Sequence, residues 1–170
     1  MLNFLQIRDY AIVDFLELEF GPGFTCITGE TGAGKSILVG ALGLLSGNRA
    51  DSGAVRQGAD KAELAAEFEL HDDSPALAWL KAAEVEDGNS CLLRRAVHAT
   101  GRSRAWINGT AVTLQQLAEL SENLVEIHGQ NEHLRLVRAA EQLRLLDGSG
   151  THDAERLEVR DRYFAWHELD

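Results

Sequence analysis

An α/β fold is what this sequence predicts, and three observations carry it. The apolar run "FTCIT" (residues 24–28) leads straight into the glycine-rich "GETGAGKS" (29–36). From Gly34 onward, Ile37, Leu38, Ala41, Leu42, Leu44 and Leu45 recur at helical spacing. Elsewhere the chain alternates short β-patterned runs with turn residues and short capped helices.

Taken in order, "NFLQIRDYAIVDFLELEF" reads as two strands, about 2–7 and 13–20, joined by an irregular link at Arg8–Tyr10. Gly21-Pro22-Gly23 is a turn, "FTCIT" a buried strand, and Gly34 to Leu45 a helix stopping near Gly47. "RADSGAVRQGADKA" is a polar loop, "ELAAEFEL" a strand, and "DDSPALAWLKAAEV" a capped helix with Pro75 near its start. "SCLLRRAVHATGRSRAWINGTAV" is a hairpin with its loop at "HATGRS" and a tight turn at Asn108-Gly109. Trp106 is expected in the core rather than as a base-stacking platform, because it sits inside a strand of that hairpin and not at its tip. Thr113 caps a helix bearing Leu114, Leu117, Ala118 and Leu120. "NLVEIHG" is a strand or strand end, a helix follows around 138–146, and Asp147 to Gly150 is a linker before a helical tail. The expected division is 1–148 for a globular lobe and 149–170 for the linker and the start of a longer helix.

Composition bounds the function. Of the 170 residues, 45% are hydrophobic and 25% charged, ordinary for a globular chain with a core. The formal net charge is −11, so contact with nucleic acid has to come from a local basic patch or from another part of the assembly. Cys26 and Cys91 each lie in an apolar run and are expected to be buried thiols in a reducing compartment. No run approaches the roughly 20 apolar residues of a membrane span, and no basic leader opens the chain. The expected location is cytoplasmic.

Residues Gly29, Glu30, Thr31, Gly32, Ala33, Gly34, Lys35 and Ser36 fit G-x-x-x-x-G-K-[ST] in full. Glycines let the backbone curl until successive N–H groups point inward at phosphate oxygens. A helix opening at that loop adds the positive end of its dipole. Lys35 then reaches the β- and γ-phosphates, and the Ser36 hydroxyl is placed for Mg²⁺. A nucleoside triphosphate and Mg²⁺ are the implied ligands. "LLSGN" (44–48) imitates an LSGGQ-type signature, but it is the end of the loop's own helix and is rejected as one. His128 and His133, near Glu126 and Glu132, have no second cluster that makes them a metal site.

Arg94, Arg95, His98, Arg102 and Arg104 are the one basic concentration in an acidic chain. Two readings stand: a solvated hairpin whose outward positions carry charge, or a patch that contacts phosphate.

"IRDYAIVDFLELEF", "FTCITGETGAGKSIL", "GRSRAWING" and "EIHGQNEH", in that order and spacing, resemble the N-terminal half of the ATPase head in the RecN family of SMC-like DNA-repair ATPases. The Glu-Thr inside the phosphate loop favours RecN within the wider SMC-like group. The resemblance implies a phosphate-loop NTPase core of the ABC/SMC type with a flanking antiparallel β-layer. It implies that the triphosphate is ATP and that Gln130 is the glutamine that reaches Mg²⁺ and the attacking water. Arg49 resembles the arginine that such heads bring near nucleotide or DNA in a closed dimer; Arg56 is a rival for that role, and a plain surface arginine is the alternative to both. Arg8 and Asp9 fall on the link that approaches base and ribose in similar heads.

An ABC-type ATPase also needs an apolar strand ending in Asp-Glu and a signature motif. "LRLLDG" and "AIVDF" do not qualify for the first. The resemblance therefore implies half a head, acting in double-strand-break repair and recombination. The C-terminal half of the same head, a second head in a homodimer, and DNA are the implied partners, with a coiled coil between the halves. The alternatives are a RecF-type or other SMC-like repair ATPase, and a nucleotide-responsive interaction module without turnover.

Overall fold

The computed structural model describes residues 1–29, 34–51, 53–127, 142–143, 146–147, 150 and 153–167. The chain divides into two units, Met1–Ile127 and His128–Asp170, each taken here by itself.

The first unit is one six-stranded sheet with three helices. Its strands are β1 (Leu2–Tyr10), β2 (Val13–Glu19), β3 (Lys61–Glu69), β4 (Ser90–His98), β5 (Ser103–Ile107) and β6 (Thr110–Val112). They lie in the order β2-β1-β3-β4-β5-β6, and every pairing is antiparallel. The helices are α1 (Lys35–Leu45), α2 (Pro75–Ala82) and α3 (Leu114–Ser121).

Register sorts the side chains. Leu5, Ala66, Leu93 and Ile107 stand opposite one another across four strands. That row is buried, and it packs with Ala41, Leu44 and Leu45 of α1, Leu77 and Leu80 of α2, and Leu117 and Leu120 of α3. A sheet with one apolar face must cover it with another layer, and these helices are that layer. The opposite face presents Gln6, Ala65, Arg94 and Trp106 in a matching row. Period-2 alternation thus builds both faces from the same strands.

Local chemistry sets the ends. Ser74 caps α2 by accepting from the Leu77 N–H at 3.2 Å, with Pro75 at the first helical position. Thr113 and Gln116 form a reciprocal capping box on α3. Asn108 and Gly109 both have positive φ, as a two-residue hairpin turn of this type demands. Gly47, at φ +88, stops α1: its N–H bonds to Leu44 and that of Asn48 to Gly43, the paired bonds of a Schellman motif. A Cβ there would also meet the Ala118 Cβ at 2.8 Å.

Five expectations are corrected. Arg8–Tyr10 is not an irregular link: β1 runs to Tyr10, which pairs with Val13 around a two-residue turn. "FTCIT" is neither a strand nor buried; residues 21–29 are exposed, Phe24 at 94%. No strand among the described residues runs beside it, and a lone strand leaves its backbone groups to water. Cys26 shares that exposure, so only Cys91 is buried. Residues 123–127 form no strand, because the N–H groups of Leu124 and Val125 are spent on the Ser121 carbonyl at the end of α3. Trp106 is half-buried on the outer face beneath the Arg94 guanidinium, 5.1 Å from its ring centre, and not in the core.

In the second unit, the tail expected to be helical forms α4 (Asp153–His167). Leu157, Val159, Tyr163, Phe164 and Trp166 are exposed along it. Residues 142, 143, 146 and 147 are helical, within and just beyond the helix expected around 138–146.

The two thiols should therefore differ sharply. Burial pushes the Cys91 thiol up to about 12, while Cys26 is exposed. Alkylation of the native chain at neutral pH is expected to modify Cys26 alone, with Cys91 reacting only after denaturation. Peptide mass spectrometry reads this directly, and modification of both thiols in the native state would contradict the burial.

Candidate nucleotide-binding site

α1 has two unlike ends. At its start, Gly34 is the N-cap, and among the described residues no side chain caps the helix. Lys35 and Ser36 follow, both exposed. The Lys35 ammonium donates to the Gly29 carbonyl at 2.8 Å. Ideal Cβ positions at Gly29 and Gly34 meet nothing within 4 Å, so this backbone stands open. Glu30, Thr31, Gly32 and Ala33 lie outside the described residues, and so does Gln130. An uncapped helix start beside a lysine and a free hydroxyl suits a polyphosphate, and the hydroxyl suits a hard cation bound to it.

The far end of α1 is fastened. The Leu42 carbonyl accepts from the N–H and hydroxyl of Ser46, and the Ser121 hydroxyl reaches Leu45 at 3.4 Å. Arg95 donates to the carbonyls of Leu44 and Asn48. Along the middle of the helix, the Tyr10 hydroxyl lies where a Cβ on Gly40 would be 2.6 Å away, so the end of β1 rests on α1 at a glycine. Burial, then the nearby Asp51 carboxylate, raises the Tyr10 pKa.

The remaining residues singled out from the sequence are dispersed. Arg8 lies over the Phe15 ring at 5.2 Å, on the sheet face opposite α1. Asp9 accepts the Arg56 N–H through its carbonyl and pairs with the Arg56 guanidinium at 3.7 Å. Arg56 also approaches Asp14 at 3.6 Å, so it is occupied within the hairpin end. Arg49 is exposed just past α1. No described contact joins Arg8, Asp9, Arg49 or Arg56 to Lys35.

The hairpin arginines split. Arg94 pairs with Glu63 at 2.8 Å and covers Trp106, while Arg102 and Arg104 are exposed. Arg95 leaves the group: it is 1% exposed, and its Nε and one terminal nitrogen donate inside the molecule. The signal was in the sequence, because adjacent residues in a strand face opposite ways, and the neighbours of Arg95 on its own side are Leu93 and Val97. The Tyr10–Gly40 contact had no comparable local sign.

Residues 3–164 match the AAA domain family. The chain belongs to that family. It is 52% identical to DNA repair protein RecN of Xylella fastidiosa (strain 9a5c) over 99% of its length, and 45% identical to DNA repair protein RecN of Vibrio cholerae over 98%. The resemblance to the RecN family carried by its motifs is borne out. In both cases the chain spans 30% of the relative's length. Among solved structures, it is similar to the Smc head domain with an extended coiled coil from Pyrococcus furiosus, solved with the C-terminal domain of ScpA. The TM-score is 0.68 at 21% identity, over 99% of this chain and 47% of that one. Similarity to the recombination mediator protein RecF with ATP gives a TM-score of 0.60 at 17% identity, over 87% of this chain and 38% of that one. These likenesses show the fold to be that of the N-terminal portion of an SMC-type head. The antiparallel layer expected to flank its core is the whole of the described sheet.

The Glu63 cluster gives a pH-dependent test. Burial tends to raise the Glu63 pKa, but hydrogen bonds and charge from Arg94 and Lys61 outweigh it and leave it below the ordinary value. A carboxylate depressed in the folded state contributes stability above its unfolded pKa and loses it as pH falls through the folded value. Glu63→Gln should cost about 0.5 kcal/mol at neutral pH for such a partly screened pair. The gap to wild type should close on acidification through that window, as read by urea unfolding; a gap that persists in acid would remove the ion pair as its cause.

Proposed function

We propose that this chain is the ATP-binding half of a RecN-like, SMC-type ATPase head that acts in DNA double-strand-break repair and recombination. The observation that carries the proposal is the asymmetry of α1: fastened at its C-terminal end, open at its N-terminal end beside Lys35 and Ser36. Lys35 holds the β- and γ-phosphates of ATP, and backbone N–H groups of residues 30–36 enclose them. The Ser36 hydroxyl and Gln130 hold Mg²⁺, which supplies charge neutralisation at the phosphates. Gln130 orients the water. Arg8 and Asp9 are proposed to approach the base and ribose from the end of β1.

Hydrolysis takes residues that this sequence does not show, an Asp-Glu strand end and a signature motif. The share of the RecN relatives' length that the chain spans, 30%, agrees with a partner half carrying them. So do the exposed apolar side chains of Phe24, Ile27 and Val39, which flank the loop in the sequence. Residues 1–148 form the lobe, and 149–170 are the linker and first turns of a coiled coil. Two such heads would enclose two ATP molecules and separate on hydrolysis. DNA contact belongs to the assembled protein, with Arg49, Arg94, Arg102 and Arg104 as the exposed or half-exposed cations available to it; the net charge of −11 makes tight binding by this chain alone unfavourable. No helix among the described residues is long and apolar enough to cross a membrane. The proposed location is the cytoplasm, at the nucleoid when acting on DNA.

Titration of the chain with a slowly hydrolysed ATP analogue and Mg²⁺ tests the site. Binding is expected, and Lys35→Ala should weaken it by at least about 2 kcal/mol, the scale of a lost charge-assisted contact. Ser36→Ala should remove most of its Mg²⁺ dependence. Undiminished affinity in the Lys35→Ala variant would overturn the assignment.

A further inference from the structure

Arg95 occupies a position at which the sheet calls for an apolar side chain. Register sets it in one row with Ile7, Leu64 and Ala105, all of them buried. A cation in such a place is costly unless its donors are matched, and no carboxylate among the described residues pairs with it. Its partners are neutral. Nε donates to the Ser103 hydroxyl at 2.9 Å, and one terminal nitrogen donates to the carbonyls of Leu44 and Asn48.

Those carbonyls identify what the charge is for. Leu44 lies in the last turn of α1, and Asn48 directly follows the glycine that ends it. A helix carries partial negative charge at this end, so a buried guanidinium is matched electrostatically as well as by hydrogen bonds. Burial lowers the Arg95 pKa, but arginine starts so high that it keeps its charge. Arg95 thus joins three elements: β4, which bears it, β5 through Ser103, and the C-terminal end of α1.

We propose that Arg95 is a positioning residue for the nucleotide site, fixing α1 to the sheet from behind so that Lys35 and Ser36 are presented at a set place. The proposal rests on the nucleotide-binding function of α1 and adds to it a residue remote from the phosphates. Arg95 touches no ligand and acts through the helix. Fixing donors before the ligand arrives removes part of the ordering cost of binding.

The test compares Arg95→Met, Arg95→Lys and Ser103→Ala with wild type in the 170-residue chain. Two readouts are taken: the Kd for a slowly hydrolysed ATP analogue with Mg²⁺, and amide hydrogen exchange in residues 35–45 relative to β3. Arg95→Met should weaken nucleotide binding about tenfold, since small misplacements of binding groups carry large penalties, and should speed exchange in α1 more than in β3. Arg95→Lys, which keeps the cation but not the fork, should recover part of both losses. A folded Arg95→Met variant with wild-type Kd, or with exchange accelerated equally in α1 and β3, would reduce Arg95 to a structural residue and overturn the proposal. If Arg95→Met does not fold, Ser103→Ala decides: about threefold weaker binding supports the proposal, since it removes one contact of the set, and unchanged binding overturns it. If wild-type chain binds no nucleotide, the function of the site fails separately, and the exchange comparison alone judges the hold of Arg95 on α1.

Discussion

The backbone of α1 has eight groups at its ends that no helix can satisfy by itself, and the molecule treats the two ends oppositely. The carbonyl end is closed by its own Schellman turn, by a serine of α3 and by an arginine of β4. Among the described residues, the N–H end has no side-chain cap. Orphan donors at a helix start are donors available to an anion. The rest of the described fold follows from that constraint, because a helix can offer one end to a ligand only if the other end and one flank are fixed to something rigid.

The sheet is that rigid support. Its register carries a continuous apolar row across four strands beneath the helices, and the same alternation puts Arg94 and Arg95 on opposite faces. One residue step separates two unrelated jobs: Arg94 pairs with Glu63 over Trp106, and Arg95 fastens the helix. The close contacts at Gly40 and Gly47 complete the support, since each admits a neighbour that a Cβ would displace.

Much of this was legible in the residues. The helix after the phosphate loop, its stop at Gly47, both capped helices and the Asn108-Gly109 turn are written in local chemistry, and each formed as local chemistry requires. What misled was tertiary supply. "FTCIT" has the composition of a buried strand, but no strand among the described residues lies beside it. "NLVEI" looks like a strand, but its amides are taken by the turn that closes α3. Arg95 was grouped with its neighbours by charge when alternation placed it inward. The Tyr10–Gly40 contact joins segments thirty residues apart and has no periodic signature at either one. Gln130 and most of the phosphate loop lie outside the described residues, so the role of Gln130 rests on the family resemblance and that of the loop on its motif.

Steady-state ATP turnover is the most direct test of the view that this chain is half of a composite site. It is measured for the chain alone and for the chain mixed with a separately made C-terminal head half, each with a Lys35→Ala control. The account predicts negligible turnover by the chain alone and turnover in the mixture that disappears with Lys35→Ala. Lys35-dependent hydrolysis by the chain alone would contradict it, because the water-activating group would then lie within these 170 residues.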